Sequence, residues 1–196
     1  MQYKTTRSLF RGLYQYKIVV TCAVSSAFRL GDMNEALSKI NSILDKNKDD
    51  IEYAKKLAIE LSTQQDLDIR VESPWISIYT NENKLIKRIT KLSPERVKYI
   101  CEPASGTSLA EGTVIMPKMD YDYRITLGKT TQEHSAFVEW ADGNKNLKLT
   151  KSCIRDLLRN RTWGGTHFYV TGDKNLLLTR MHLGEGIAKV ERIVKS

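Results

Sequence analysis

The sequence predicts an α+β fold: two tandem β-α-α-β-β-β repeats, each with an antiparallel sheet and helices packed on one face, related by a pseudo-two-fold axis. Three observations carry that expectation. Short alternating strands recur in both halves, amphipathic helices sit between them, and four blocks of the first half return in the same order in the second. "YQYKIVV" (14–20) is echoed by "YDYRITL" (121–127), and Ser26-Ala27-Phe28 by Ser135-Ala136-Phe137. "ISIYTNENKLIKRI" (76–89) is echoed by "HFYVTGDKNLLLTRM" (167–181), with Thr80 opposite Thr171 and Arg88 opposite Arg180. "VKYIC" (97–101) and "AKVERIV" (188–194) close the halves.

In the first half, "YQYKIVV" alternates as a strand, and "DMNEALSKINSIL" then places Met33, Ala36, Leu37, Ile40 and Leu44 at helical spacing behind an Asp32 cap with Glu35 three residues on. A second helix follows through Ile51, Ala54, Leu57, Ala58 and Leu61, with Asp49 or Asp50 as its N-cap. "DIRVES", "WISIYT", "KLIKRITKL" and "VKYIC" read as strands, the middle pair forming a hairpin across "NEN". "EPASGTSLAEGTVIMPKMD", with Pro103, Gly106, Gly112 and Pro117, reads as a connector. In the second half, "HSAFVEWAD" and a Thr150-capped helix with Ile154, Leu157 and Leu158 facing inward precede a hairpin turning at Gly172. The resulting division is a basic N-terminal segment (1–13), a first repeat (14–103), a linker (104–120) and a second repeat (121–196), expected to pack as one compact unit.

Of 196 residues, 41% are hydrophobic and 28% charged, the balance of a chain that buries a core. Lys and Arg number 31 against 23 Asp and Glu, a net charge of +8 that favours phosphate-bearing partners. Cys22, Cys101 and Cys153 are far apart and lack C-x-x-C spacing, which indicates neither a disulfide framework nor a zinc knuckle and fits a reducing, cytoplasmic setting. The longest uncharged run, "IVVTCAVSSAF" (18–28), is too short to span a bilayer, and no membrane association is expected. It resembles the apolar part of a signal peptide, but the echo of its strand lies inside the chain, where no leader stands.

"LGKTT" (127–131) invites a nucleotide-binding reading, yet a phosphate-wrapping loop of that type requires a glycine where Tyr123 stands. Asp120, Asp122, Glu133 and His134, near Lys129, form the best carboxylate set for a metal-dependent nuclease, an alternative weakened by Gln15 standing opposite Asp122 in the other repeat. His134, His167 and His182 share no ligand spacing, and His167 and His182, both placed on the final hairpin, are not neighbours across it. No catalytic residue, metal or cofactor is expected.

Basic residues are more informative. Lys151, Arg155 and Arg159 recur at every fourth position, followed by Arg161 and Trp163. Lys84, Lys87, Arg88 and Lys91 form a second group, with Arg180 repeating Arg88, and Lys17 and Arg124 are the shared base of the first strand in each repeat. Lys4, Arg7 and Arg11 interleave with Phe10. The expectation is a non-enzymatic protein contacting DNA or RNA phosphates through a duplicated basic surface, with Trp163, Tyr14, Tyr16, Tyr121 or Tyr123 free to stack bases where they are not core. The bland reading is a solvated basic face. The alternative is a protein-interaction or assembly subunit, such as a viral or phage accessory factor or a homo-oligomer.

Overall fold

Alternation along Tyr16–Thr21 sends Ile18 and Val20 to one side and Lys17 and Val19 to the other, and this parity sets the two faces of the first sheet. The computed structural model describes residues 2–43, 47–105, 107–129, 132–159 and 163–195. The chain divides into two compact units, Met1–Glu111 and Gly112–Ser196.

In the first unit β1 (Gln2–Thr6) and β2 (Tyr16–Thr21) are followed by a 3-10 turn (Ser25–Leu30), α1 (Met33–Asn41) and α2 (Lys48–Ser62). Then come β3 (Leu67–Glu72), β4 (Trp75–Thr80), α3 (Asn83–Leu92) and β5 (Val97–Pro103). The sheet order is β1-β5-β2-β4-β3. β1 runs parallel to β5 and the other neighbours are antiparallel, so the sheet is mixed rather than antiparallel throughout. Asp32 caps α1 as its sequence position demands, accepting from the Asn34 and Glu35 amides at 2.8 and 3.3 Å. The cap of α2 is Asn47, ahead of the expected aspartates, and Asp49 and Asp50 lie in the first turn, where negative charge suits the helix dipole.

"KLIKRITKL" is α3 and not a strand. Leu85, Ile86, Ile89 and Leu92 share one side of a 3.6-residue period and pack into the core, which outweighs the β preference of Ile and Thr. The Thr80 hydroxyl accepts from the Glu82 amide at 3.0 Å and starts the helix at the end of β4. Ile18, Val20, Ile76, Ile78, Val97 and Ile100 meet all three helices in one cluster. Among the described residues, the opposite face of this sheet is therefore free of this unit's helices.

The second unit contains β6 (Thr113–Ile115), β7 (Tyr123–Leu127), α4 (Ser135–Asp142), β8 (Leu147–Lys148), α5 (Lys151–Leu157), β9 (His167–Val170), α6 (Asp173–Leu183) and β10 (Ile187–Val194). Its order is β6-β10-β7-β9-β8, with β6 parallel to β10 and the other pairs antiparallel. "TGDKN" is thus no hairpin turn: it leads from β9 into α6, with Gly172 at φ 79° as the N-cap. His167 consequently lies on β9 and His182 on α6, where it stacks on Trp140 at 4.9 Å.

The two sheets share one strand order, read by counting strands from the start of each unit. The connectivity differs at one edge. β3 follows α1 and α2, whereas β8 falls between α4 and α5. Neither half is β-α-α-β-β-β: each begins with an additional parallel edge strand and carries a further helix before its last strand. The Ser-Ala-Phe echo delivers a core anchor to each unit, Phe28 and Phe137, both 1% exposed. Among the described residues, no helix is long and apolar enough to cross a membrane.

Candidate nucleic-acid interface

The ladder aligns Lys4 of β1, Cys101 of β5, Lys17 of β2, Tyr79 of β4 and Asp68 of β3 in one row across the first sheet. By parity these side chains belong to the helix-free face. The segment between β1 and β2 folds over part of it: Phe10 lies 5.7 Å and Tyr14 6.5 Å from the Tyr79 ring. Lys17 Nζ stands 5.2 Å from the Tyr79 ring centre, 5.5 Å from Tyr99 and 6.0 Å from Phe10. Lys4 Nζ approaches the same Tyr99 ring at 4.1 Å, and Lys98 Nζ lies 3.4 Å from the Trp75 ring.

Lys4, Lys17 and Lys98 make no ion pair among the described residues. Burial pulls the Lys17 ammonium down, but hydrogen bonds to Tyr99 and Tyr79 outweigh it and hold the group above the ordinary lysine value. Lys17 is therefore fully charged near neutral pH. Arg11 differs: it covers Tyr79 at 4.9 Å and is neutralised by Asp68.

The equivalent row in the second sheet contains Glu191 of β10, Arg124 of β7, Tyr169 of β9 and Lys148 of β8. Here the central cation is spent internally. Arg124 donates through Nε and Nη2 to Glu191 Oε2 at 2.9 and 2.6 Å, and Lys189 reaches Oε1 at 2.8 Å. Glu191 is 1% exposed; burial pushes its carboxyl up, and the bonds from Lys189 and Arg124 reverse this and hold it below the usual range. The tyrosine contact of the first sheet recurs, with Tyr121 5.9 Å from Tyr169 at an interplanar angle of 35°, against 33° for Tyr14 and Tyr79.

Lys84, Lys87 and Lys91 are exposed along one side of α3, not on a hairpin, whereas Arg88 is held by Glu60 at 2.8 Å. Arg180 is exposed on α6, so the paired arginines of the echo have different surroundings. Lys151 and Arg155 are exposed on α5; Arg159 lies past its end, and Arg161 lies outside the described residues. Trp163 is 79% exposed, with Lys129 Nζ 6.0 Å from its ring. Tyr14 is core, while Tyr16, Tyr121 and Tyr123 are half-buried.

The acidic set is dispersed. Asp120 pairs with Lys195 at 3.3 Å, Asp122 accepts from the Gly172 amide at 2.8 Å, and Glu133 accepts from the Ser135 hydroxyl at 3.4 Å. Among the described residues, no group of three His, Cys, Asp or Glu side chains is placed to hold a metal ion. Of "LGKTT", Gly128 donates its amide to the Gly186 carbonyl at 2.8 Å, and Thr130 and Thr131 lie outside the described residues.

The rings and cations that converge in the first unit include several that sequence reading passed over: Tyr79, Tyr99, Trp75 and Lys98. Parity was a signal for Lys17 and Tyr79, which stand between residues of the core side of their strands, but not for Tyr99, which follows the exposed Lys98 where a register shift breaks the alternation. No protein-family model, curated protein or solved structure matches this chain.

Proposed function

We propose that this chain is a non-enzymatic nucleic-acid-binding protein that grips the phosphates of DNA or RNA with the helix-free face of its first sheet. The observation that carries the reading is the pair of ammonium groups, Lys4 and Lys17, set against one tyrosine ring with no carboxylate partner among the described residues. Two like charges so placed repel each other, and a phosphate between them removes the repulsion. Lys98 on Trp75 extends the cationic surface, and Trp75, 41% exposed, offers an aromatic surface to a base. The exposed cations of α3 and α5 add electrostatic attraction.

The same reading includes descent of the two units from one duplicated ancestor. It is supported by the common strand order and by the two tyrosine pairs of matching geometry. In this view the second unit has lost its anion site by acquiring a carboxylate beside Arg124.

Fluorescence anisotropy with labelled single-stranded RNA, single-stranded DNA and duplex DNA tests the proposal. Binding is expected at low salt and should weaken steeply as salt rises. The Lys4/Lys17/Lys98 triple alanine variant should lose more affinity than the Lys151/Arg155/Arg159 variant. Absence of binding to all three ligands at low salt overturns the reading.

A second reading rests on α6, where Leu177 and Met181 stand one turn apart and are 60% and 73% exposed. They favour a protein partner or self-association. Light scattering of the wild type and a Leu177→Ser/Met181→Ser variant distinguishes a monomer from an assembly held by this stripe.

A further inference from the structure

β1 sends Lys4 to the helix-free face and Tyr3 to the other, where a groove of about 550 Å³ opens between α3 and the edge of the sheet. Tyr3 is 57% exposed, and it lies opposite Ile100 in the ladder. Ile86 and Ile100 form the apolar floor, Lys87 and Lys91 line the α3 wall, and Glu102 lines the strand side. The volume suits a small molecule or one unit of a polymer.

The chemistry of the walls is mixed in a specific way. Lys87 and Lys91 are one helical turn apart, a like-charge spacing that costs helix stability and that an anion relieves. Neither forms an ion pair among the described residues, although Glu102 lines the same groove. A flat apolar group fits against the Tyr3 ring and the two isoleucines, and Glu102 is an acceptor for a donor on that group.

We infer that the groove holds a single nucleotide, its base on Tyr3, Ile86 and Ile100, its phosphate on Lys87 and Lys91, and a base amino group on Glu102. The inference rests on the nucleic-acid reading for the source of that nucleotide, a strand whose neighbouring phosphates reach the Lys4 and Lys17 face. The site itself is independent of those lysines.

The full chain, labelled with ¹⁵N, is titrated with AMP, CMP, GMP and UMP up to about 10 mM, the range in which weak single-unit binding is read. Inorganic phosphate and ribose 5-phosphate serve as parallel ligands. The expected result is saturating shifts of amides in α3 and around Ile100 and Glu102, with at least one nucleotide binding about tenfold more tightly than ribose 5-phosphate. Lys87→Ala/Lys91→Ala should abolish saturation for every ligand. Tyr3→Ala should weaken the nucleotides and leave ribose 5-phosphate unchanged.

Equal affinity for nucleotides and ribose 5-phosphate overturns the base-binding role, and no saturating shift at this groove overturns the site. Both lysines are exposed and alanine is a better helix former, so the double variant keeps its fold, which circular dichroism verifies. Failure of RNA binding with nucleotide binding intact removes the strand and keeps the groove. RNA binding without nucleotide shifts removes the groove and keeps the strand.

Discussion

Lys17 and Arg124 occupy the same place in two sheets of the same strand order, and what surrounds them differs in sign. Lys17 faces Cys101 across the ladder and is enclosed by tyrosine and phenylalanine rings; Arg124 faces Glu191 and is neutralised by it. A ring attracts a cation without cancelling its charge, whereas a buried carboxylate cancels it. In the second unit the cation is paired with a buried carboxylate; in the first it has no ion-pair partner among the described residues, and under the proposed function it is this cation that meets a phosphate.

The largest expected effect follows from the buried member of that comparison. Arg124→Ala leaves Glu191 with Lys189 alone and should destabilise the second unit by about 3 kcal/mol. Urea unfolding followed by peptide-resolved hydrogen exchange reads this, with protection lost across β7 and β10. A loss no larger than that of an exposed control, Lys145→Ala, would contradict the assigned role of the pair.

Transplanting the carboxylate is the next test. Cys101→Glu puts the acid of the second row beside Lys17 and should lower RNA affinity roughly tenfold, about 1.4 kcal/mol, while Cys101→Ser leaves it near wild type. Retention of full affinity by a folded Cys101→Glu variant would separate Lys17 from binding. Lys17→Ala should cost only about 1 kcal/mol of stability, because ring contacts are weaker than a buried ion pair.

The smallest effects are in pH. Glu191 titrates below the ordinary carboxylate value of 4.5, so its contribution is complete above that value and is lost as pH falls through the lowered folded value. Lys17 titrates above 10.5, so its contribution is complete below that value and is lost as pH rises through the raised one. Acid should therefore loosen the second unit through Glu191, and alkali the first through Lys17. Glu191→Gln should flatten the acid limb in hydrogen exchange, and an unchanged limb would contradict the assignment.

Local chemistry made much of this legible from sequence. The Asp32 cap, the core faces of α1 and α2, the Thr150 cap and the central strands all declare themselves within a few residues. The echo "YQYKIVV" and "YDYRITL" located equivalent strands, and Tyr14 and Tyr121 do make matching contacts. α3 and α6 were obscured because "KLIKRITKL" mixes β-branched residues with a helical period, and Gly172 suits either a hairpin or a helix start. The edge strands β1 and β6 were hidden because their partners, β5 and β10, are distant in sequence and parallel.

The candidate interface was legible only in part for the same reason. Lys17 stood out as a shared base, but its fate depends on Tyr79, Tyr99 and Cys101, brought beside it by pairing over more than sixty residues. Nothing local distinguishes Lys17 from Arg124. Partner strands do: one supplies a thiol and the other a carboxylate.

The most direct measurement of the central claim is the slope of log affinity against log salt for single-stranded RNA, compared between the wild type and the Lys4/Lys17/Lys98 alanine variant. If these three ammonium groups each neutralise a phosphate, the slope should become shallower by roughly two, at about 0.7 per contact on a single strand. Parallel lines for the two proteins would show that the helix-free face of the first sheet does not hold the nucleic acid.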